Sequence, residues 1–357
     1  MAKKTIQADW LSKVGNSAQI GGIETSVLDN GPGRGTRIAW VNTGTGLRYK
    51  VVIDRGLDIV DAFFNEHSLA WISHGGITAV RPDANMGLEW LWTFAGGLLT
   101  TCGLTHIGGP ESDEYGQRGL HGRISNTAAE IESIVQPDIR AGRLDMSITA
   151  CVRQSRVFGP NVELRRTIRG RLGEPVLKVC DIVTNRGNMP TPHMLLYHCN
   201  FGYPLADEGV DIVCGGKWVS RGLEMDDAVF NDKRNYRKCS APLESHRDGG
   251  EGCAFIDASA DKAGVCTAGL ANHKLGLALV MRYKKKQLPW ISNWQHWGPG
   301  EYVTALEPGT NPPIGQAAAR KQETLIHLVP GESRTYELEM EMLTDTSRVE
   351  GFARSAD

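Results

Sequence analysis

The sequence predicts an all-β protein with antiparallel sheets. Alternation of apolar and polar residues is its dominant pattern, convincing amphipathic helices are scarce, and 42 Gly and 16 Pro residues supply frequent turns. Strands that follow one another without intervening helices form antiparallel sheets. No Pro/Ser-rich linker divides the chain, so we expect one large β domain over residues 1–357, with 1–35 as an N-terminal extension.

Six runs rich in β-branched residues carry the strand signal, and each is bounded by Gly, Pro, Asn or Asp. These runs are residues 36–43, 48–54, 143–154, 161–171, 175–186 and 333–343. In the fifth run, Leu177 and Val179 are out of step with Ile182, which predicts a β-bulge.

The remaining elements are predicted from two other patterns. Residues 90–105 form an apolar stretch without charges that is too short to span a bilayer, and we interpret it as a buried strand, a turn and a second strand. Short helices are expected at residues 6–14 and 315–326.

Charge and cysteine content exclude several classes of protein. The 39 Lys and Arg residues nearly balance 41 Asp and Glu residues, which argues against a nucleic-acid-binding protein and against a polybasic membrane patch. Two N-terminal lysines are followed by no apolar segment, so a secretory signal is not expected. The eight cysteines are scattered without a C-x-x-C pair, which predicts reduced, mostly buried thiols and a cytoplasmic location.

A segment around residue 198 concentrates polar chemistry at the end of an apolar strand. Because side chains alternate along a strand, Met194, Leu196, His198 and Asn200 share one face. The polar end of that face fits a strand that opens into a cleft. A hydrogen-bonded core histidine beside a turn fits the same pattern, and the sequence alone leaves both interpretations open.

A second polar segment lies near the C-terminus. Glu307 ends an apolar run before a Pro-Gly turn, and a carboxylate is costly to bury unless it is paired or functional. Trp290, Trp294 and Trp297 are close by in sequence. Tryptophan faces suit the C–H face of a sugar, although core packing and an exposed loop glutamate explain these residues equally well.

No pattern in the chain predicts a metal or a nucleotide. His106 and His121 lie 15 residues apart, which matches no zinc-binding helix spacing. The glycines at 31–35 lack the strand-and-helix context of a dinucleotide site, and the chain has neither a P-loop nor a G-x-S-x-G elbow. We therefore expect no metal and no cofactor.

Taken in order, three motifs resemble the aldose 1-epimerase (galactose mutarotase-like) family. They are the Leu-His-Gly turn at 120–122, the Tyr-His-Cys-Asn-Phe segment at 197–201, and Leu-Glu-Pro at 306–308 with Asn-Pro at 311–312. Arg-Gly-Leu-Asp-Ile at 55–59 and Gly-Leu-Thr-His at 103–106 resemble a mostly uncharacterised bacterial branch. The resemblance spans roughly residues 40–345 and implies a large antiparallel β supersandwich.

The resemblance also implies a reaction and its residues. Mutarotation needs a base for the C1 hydroxyl proton and an acid for the ring oxygen, with no cofactor. By resemblance, Glu307 is the base and His198 the acid, and His121 binds a sugar hydroxyl. This mechanism requires His198 and Glu307 to reach one pyranose ring together.

Further residues are expected to bind substrate. They are His106, Arg55, Asn200, Arg123 and Trp294. Arg55 has a bidentate donor fork suited to hydroxyls or a carboxylate, although a surface salt bridge with Asp54 or Asp58 accounts for it equally well. Arg123 replaces the second glycine of the family's Leu-His-Gly-Gly turn, and its charge suggests an acidic sugar.

The chain departs from the family pattern in further places. The Asn that precedes the family's histidine is Tyr197. The family's sugar-binding Asn-Arg-Ile segment has no clear counterpart, and His106 stands in roughly that region. The family's substrate-binding Asp has only Asp226, Asp227 and Asp232 as candidates. The expected protein is thus a carbohydrate-active isomerase that acts on a free sugar or sugar acid. Another sugar isomerase, epimerase or lyase on the same scaffold, or a non-catalytic carbohydrate-binding protein, remains an alternative, and neither the sugar nor the oligomeric state is predicted.

Overall fold

The computed structural model describes residues 9–231 and 236–356. The strands in chain order are β1 (Gly22–Val27), β2 (Arg37–Asn42), β3 (Leu47–Val52), β4 (Asp58–Phe64), β5 (His67–Ser68), β6 (Thr100–Leu104), β7 (Glu111–Asp113), β8 (Gly116–Arg118), β9 (Ala129–Val135), β10 (Asp145–Ser155), β11 (Asn161–Arg171), β12 (Val176–Asn185), β13 (Thr191–Gly202), β14 (Asp211–Cys214), β15 (Gly216–Ser220), β16 (Gly252–Ala258), β17 (Val265–Asn272), β18 (Leu277–Lys284), β19 (Trp290–Gly298), β20 (Glu301–Gly309), β21 (Ile326–Leu328) and β22 (Ser333–Leu343).

Helices are short. Two α-helices are α1 (Gly315–Lys321) and α2 (Thr346–Ala353), and residues 9–13 are also helical. Short 3₁₀ helices lie at Ser17–Gln19, Gly31–Gly33, Glu89–Trp92, Ile124–Asn126, Glu224–Ala228, Glu244–Gly249 and Arg354–Ala356. Within the described ranges, no helix is long and apolar enough to cross a membrane.

The strands form three large antiparallel sheets and a small hairpin. An eight-stranded sheet has the order β14-β17-β18-β22-β12-β11-β10-β9, and a seven-stranded sheet has the order β15-β16-β19-β20-β13-β21, with β6 also paired to β13. The first five strands form a third sheet, and β7 pairs with β8. One continuous apolar core draws side chains from all three large sheets, for example Tyr49 of β3, Leu164 of β11 and Leu195 of β13. The predicted all-β, antiparallel sandwich is therefore confirmed.

Strand β13 shows how this architecture creates a site. Its odd-numbered residues Leu195, Tyr197 and Cys199 pack into the main core, whereas Met194 and Leu196 belong to a separate small cluster on the opposite face. The predicted alternation along this strand is confirmed. His198 continues the second face, so it lies outside the main core of the sandwich.

The structure corrects three local predictions. Strand β12 pairs with both neighbours without a register shift, so the predicted bulge is absent and Asp181 lies in the core. Residues 89–92 form a 3₁₀ turn instead of a strand. The second predicted helix ends at Lys321, and Ile326 begins β21.

Two further predictions concern the N-terminal segment. Residues 6–8 of the first predicted helix lie outside the described residues, whereas residues 9–13 are helical. Part of the segment 1–35, predicted as an extension, forms β1, which pairs with β2.

Candidate active site

Strand pairing places His198 and Glu307 side by side. Leu196 pairs with Gly309 and Cys199 pairs with Leu306, so the antiparallel register between β13 and β20 puts His198 opposite Glu307. Residues that face each other across antiparallel strands point to the same side of the sheet. Two residues 109 positions apart in sequence are thereby fixed by backbone hydrogen bonding on regular strands.

The two side chains form a buried pair. His198 Nε2 lies 3.2 Å from Glu307 Oε1, and the two residues are only 6% and 3% exposed. His198 Nδ1 is buried without a hydrogen-bond partner in the structure. The two side chains are thus in direct contact, and their joint action on one pyranose ring stays a prediction.

Burial shifts the two pKa values in opposite directions. Desolvation raises the pKa of Glu307 to about 8, and the nearby charge of Glu251 adds to the shift while Arg221 opposes it. Desolvation also lowers the pKa of His198 to about 4. Because both groups are out of water, these shifts favour a proton on Glu307 beside a neutral imidazole near neutral pH. This is the opposite of the protonation expected from the sequence, an ionised Glu307 beside a proton-donating His198, and the catalytic roles of the two residues stay predictions.

Aromatic rings form the walls around His198. The ring centroids of Phe94 and Trp294 lie 5.2 and 5.6 Å from that of His198, and Trp90 lies 6.4 Å away. Trp90 stacks on Phe94 at 4.3 Å, and its Nε1–H donates a hydrogen bond to Ser125 Oγ at 3.0 Å. Of these rings, sequence reasoning selected only Trp294, because residues 90–94 were assigned to a buried strand.

His121 completes this group from a strained turn. Its φ of +55° is in the left-handed region, and its backbone N–H donates to the Gly108 carbonyl at 2.9 Å. The half-buried ring stands perpendicular to that of His198 with centroids 5.9 Å apart. Burial lowers the pKa of His121 well below its usual value. Its Nδ1 accepts a hydrogen bond from the Gly108 N–H at 3.4 Å, so the proton resides on Nε2. Nε2–H is therefore a donor that a hydroxyl group can accept from.

A charged cluster next to Glu307 escaped the sequence analysis. Trp294 Nε1–H donates to Glu251 at 2.6 Å, and Arg221 donates to both Glu251 and Asp226, at 2.5 and 2.9 Å. Asp226 also accepts the Cys253 N–H, and it is fully buried. No sequence motif marks this cluster, because β16, β19 and the 224–228 turn meet only in the fold.

The three candidates for the substrate-binding Asp are now distinguished by position. Asp226 accepts hydrogen bonds from Arg221 and from the backbone N–H of Leu223, which precedes the 224–228 turn. Asp227 is exposed. Asp232 lies outside the described residues.

Other predicted substrate-binding residues lie around the aromatic group without joining it. Asn200 is buried and donates to the carbonyls of Gly97 and His198, while its Oδ1 has no partner. His106 is buried with Nε2 2.8 Å from the Gly109 carbonyl oxygen. Arg123 is exposed, and its guanidinium donates to the Pro82 carbonyl at 3.5 Å. Their sugar contacts stay predictions.

Arg55 lies behind the aromatic residues and forms hydrogen bonds with the loops that carry them. Its buried guanidinium donates to the carbonyl oxygens of Ser125 and Thr93 and to Thr78. Asp54 pairs instead with Arg37 at 2.5 Å. Protein oxygens already accept from the Arg55 donors. This position therefore favours a role in holding the loop that carries Trp90 and Phe94 over a role in binding a sugar.

Metal-binding side chains do not gather at this site. Among residues 9–231 and 236–356, no group of three or more His, Cys, Asp and Glu side chains has the arrangement of a metal site. The prediction of a reaction without metal or cofactor stays a prediction.

Comparisons with known proteins agree with this architecture. Residues 33–342 match the family described as Domain of unknown function (DUF4432). No curated protein matches the chain. A candidate aldose 1-epimerase from Klebsiella pneumoniae is 22% identical, with a TM-score of 0.84 over 96% of this chain and 90% of that one.

Two more distant structures share the fold. A galactose mutarotase-like protein from Clostridium acetobutylicum and a galactose 1-epimerase from Lactobacillus acidophilus are each 11% identical, with TM-scores of 0.58 over 90% of this chain and 98% of theirs. At such identities the likeness concerns the fold. The family match over most of the chain and the shared sandwich together identify this protein as a member of the DUF4432 family with the galactose mutarotase-like fold.

Proposed function

We propose that this protein is an aldose 1-epimerase that interconverts the anomers of a free sugar or sugar acid. The observation that carries the proposal is the buried His198–Glu307 pair, 3.2 Å apart and surrounded by aromatic rings. A pair that holds one proton supplies both the acid and the base that mutarotation needs. The fold alone does not determine the reaction, so the proposal depends on this site.

The resting protonation state gives a balanced reaction cycle. The Glu307 carboxyl group protonates the ring oxygen while neutral His198 takes the proton of the C1 hydroxyl. The C1–ring oxygen bond breaks, and the open-chain aldehyde forms beside an ion pair of Glu307 carboxylate and His198 imidazolium. After rotation about C1–C2, closure on the other face returns both protons and regenerates the starting pair.

The surroundings favour this chemistry. The faces of Phe94 and Trp294 suit the apolar C–H surface of a sugar ring. His121 Nε2–H is a donor that a sugar hydroxyl can accept from, and the low-dielectric setting strengthens the transient attraction between the ionised members of the pair. These features support a small carbohydrate as the substrate.

Anomer exchange measured by NMR tests the proposal. A panel of free aldoses and uronic acids is equilibrated with wild type, Glu307→Gln and His198→Asn, and with Glu301→Gln as a matched control. Glu301 lies on the same strand, but its side chain is 43% exposed. We expect wild type and the control to accelerate exchange for at least one sugar, and each site variant to lose about 10²-fold or more.

The other outcomes identify the alternatives. A new compound in the spectrum would indicate a different sugar isomerase, epimerase or lyase reaction on this scaffold. Binding without exchange and without a product would indicate a carbohydrate-binding protein. Equal exchange rates in wild type and Glu307→Gln would contradict the assigned role of Glu307.

A further inference from the structure

An arginine-rich cavity of about 310 Å³ lies beside the turn that carries His121. Its lining includes Gly122 and Arg123 of that turn, together with Arg118, Arg156 and Arg320. No Asp or Glu is among its lining residues in the described parts of the chain. This volume suits a ligand of monosaccharide size.

Two of the four arginines already have carboxylate partners. Arg118 contacts Glu111 at 3.0 Å and Asp113 at 2.6 Å, and Arg320 lies 3.8 Å from Asp113. These two carboxylates neutralise about as much charge as Arg118 and Arg320 carry.

The other two arginines give the cavity a net positive charge. Neither Arg123 nor Arg156 forms an ion pair within the described residues. The Arg123 side chain donates there to one carbonyl oxygen, that of Pro82 at 3.5 Å. Guanidinium groups bind carboxylate and phosphate oxygens through paired donors. The excess charge therefore favours an anionic ligand.

A buried imidazole supplies a second kind of contact. His106 lines the cavity, is 1% exposed, and its Nδ1 has no hydrogen-bond partner; Glu111 Oε2, 3.7 Å away, is beyond hydrogen-bond distance. Its Nε2 faces the Gly109 carbonyl oxygen at 2.8 Å and must carry the proton there, so Nδ1 presents a lone pair. The neighbouring amides of Gln154 and Gln316 are already engaged with the backbone. A hydroxyl donor is the natural partner for the His106 lone pair.

We propose that this cavity binds a sugar that bears a carboxylate or phosphate group. Arg123 and Arg156 hold the anionic group, and His106 Nδ1 accepts a hydrogen bond from a sugar hydroxyl. The cavity is separate from the His198–Glu307 pair, although the 121–123 turn contributes to both. The proposal concerns binding and does not depend on the acid–base reaction.

Calorimetric titration of the full-length chain tests the cavity. The probes are glucuronate, galacturonate, glucose 6-phosphate, galactose 6-phosphate, inorganic phosphate, and neutral glucose and galactose. We expect at least one anionic sugar to bind more tightly than its neutral parent, with an affinity that falls as salt is added. The uronates and the phosphates distinguish the two sources of negative charge.

Variants locate the binding site. We expect Arg123→Gln/Arg156→Gln to weaken the anionic sugar by about ten-fold or more. Arg34→Gln removes one exposed positive charge elsewhere and should leave the Kd unchanged. His106→Phe should weaken sugar phosphates or uronates more than inorganic phosphate. Both arginines are exposed, so the double variant should fold, which its thermal melting curve checks.

Three results would overturn the proposal. They are no binding by any anionic sugar, unchanged affinity in the double arginine variant, and tighter binding of inorganic phosphate than of every sugar. Glu301→Gln, which changes a partly exposed residue outside the cavity lining, should bind the anionic sugar as wild type does. Binding without anomer exchange in wild type would leave the cavity assignment intact while rejecting the proposed reaction.

Discussion

Glu307 shows how much the environment of one residue decides its chemistry. A carboxyl group in water is ionised at neutral pH, but this side chain is buried on a sheet face, and Arg221, the nearby cation, is engaged by Glu251 and Asp226. Desolvation therefore dominates and raises the pKa of Glu307 to about 8. Burial therefore favours the protonated form of Glu307 at neutral pH.

The rate of anomer exchange should depend on pH through the proton that the pair holds. Burial lowers the pKa of His198 to about 4 and raises that of Glu307 to about 8, so the singly protonated pair dominates between these values. We expect kcat to be flat across neutral pH and to fall about ten-fold per pH unit above about pH 8, where the last proton is lost. Saturation-transfer NMR from about pH 5 to pH 10 measures this.

The opposite assignment predicts a different profile. An ionised Glu307 with a protonated His198 and ordinary pKa values would give a maximum between about pH 4.3 and 6.5, with loss of activity already near neutrality. The sequence suggested which two residues lie together. It could not reveal their protonation states, because these follow from burial by strands distant in sequence.

At the scale of elements, strand β12 carries a buried carboxylate, Asp181, that the sequence pattern did not reveal. Asp181 accepts two hydrogen bonds from the fully buried Arg166, at 2.8 and 2.6 Å, and a third from Tyr197 at 2.7 Å. Arg166 also donates to Thr101 of β6 at 2.8 Å. The apparent slip in the apolar pattern of β12 is therefore a regular strand with a paired aspartate on its core face.

This network lies directly behind the candidate site. Tyr197 precedes His198 on β13, and Thr101 follows Thr100, the β6 partner of His198. The Arg-Gly-Leu-Asp motif belongs to it as well, since Arg166 donates to the carbonyls of Gly56 and Leu57. A motif singled out for its chemistry thus fixes the strands that carry the site.

Two buried tyrosines allow the network to be measured. Tyr197 and Tyr49 are both fully buried, but the Tyr49 hydroxyl has no partner. We expect Tyr197→Phe to reduce the free energy of unfolding by about 1–2 kcal/mol, because it leaves the Asp181 carboxylate short of a donor. Tyr49→Phe should be neutral or stabilising, since it removes an unsatisfied polar group. Urea denaturation measures both, and equal losses would show that the hydrogen bond of Tyr197 does not matter.

Loops were harder to predict than strands, and residues 89–94 show why. Trp90 and Phe94 are four residues apart, the spacing that brings side chains together across a helical turn, and they stack at 4.3 Å. Their apolar character suggested a buried strand instead. Hydrogen bonds from Arg55 and Trp90 to Ser125, which lies far along the chain, hold the turn in place. Such a contact leaves no periodic signal in the sequence.

At the scale of the whole molecule, the strand pattern in the sequence was sufficient to predict the all-β architecture. All six runs predicted as strands are strands, and their pairing into two large sheets follows from burying one face of each. The pairing order was not predictable from periodicity, because β13 lies between β20 and β21 and also contacts β6. That order is what brings His198 and Glu307 together.

The eight cysteines test whether the chain unfolds as a single domain, as we propose. All are free thiols, and seven are buried, which confirms the predicted burial; Cys180 is half-buried. Seven of them lie in the seven-stranded and eight-stranded sheets, for example Cys199 and Cys253 in the former and Cys151 and Cys266 in the latter, and Cys239 lies in a loop. Since one core joins these sheets, we expect the buried thiols to become reactive together in urea, at the midpoint reported by tryptophan fluorescence.

Labelling with a thiol reagent followed by peptide mass spectrometry measures each site separately. Cys180 should react first in native protein, and two groups of thiols with separate midpoints would show that the sheets unfold as independent units.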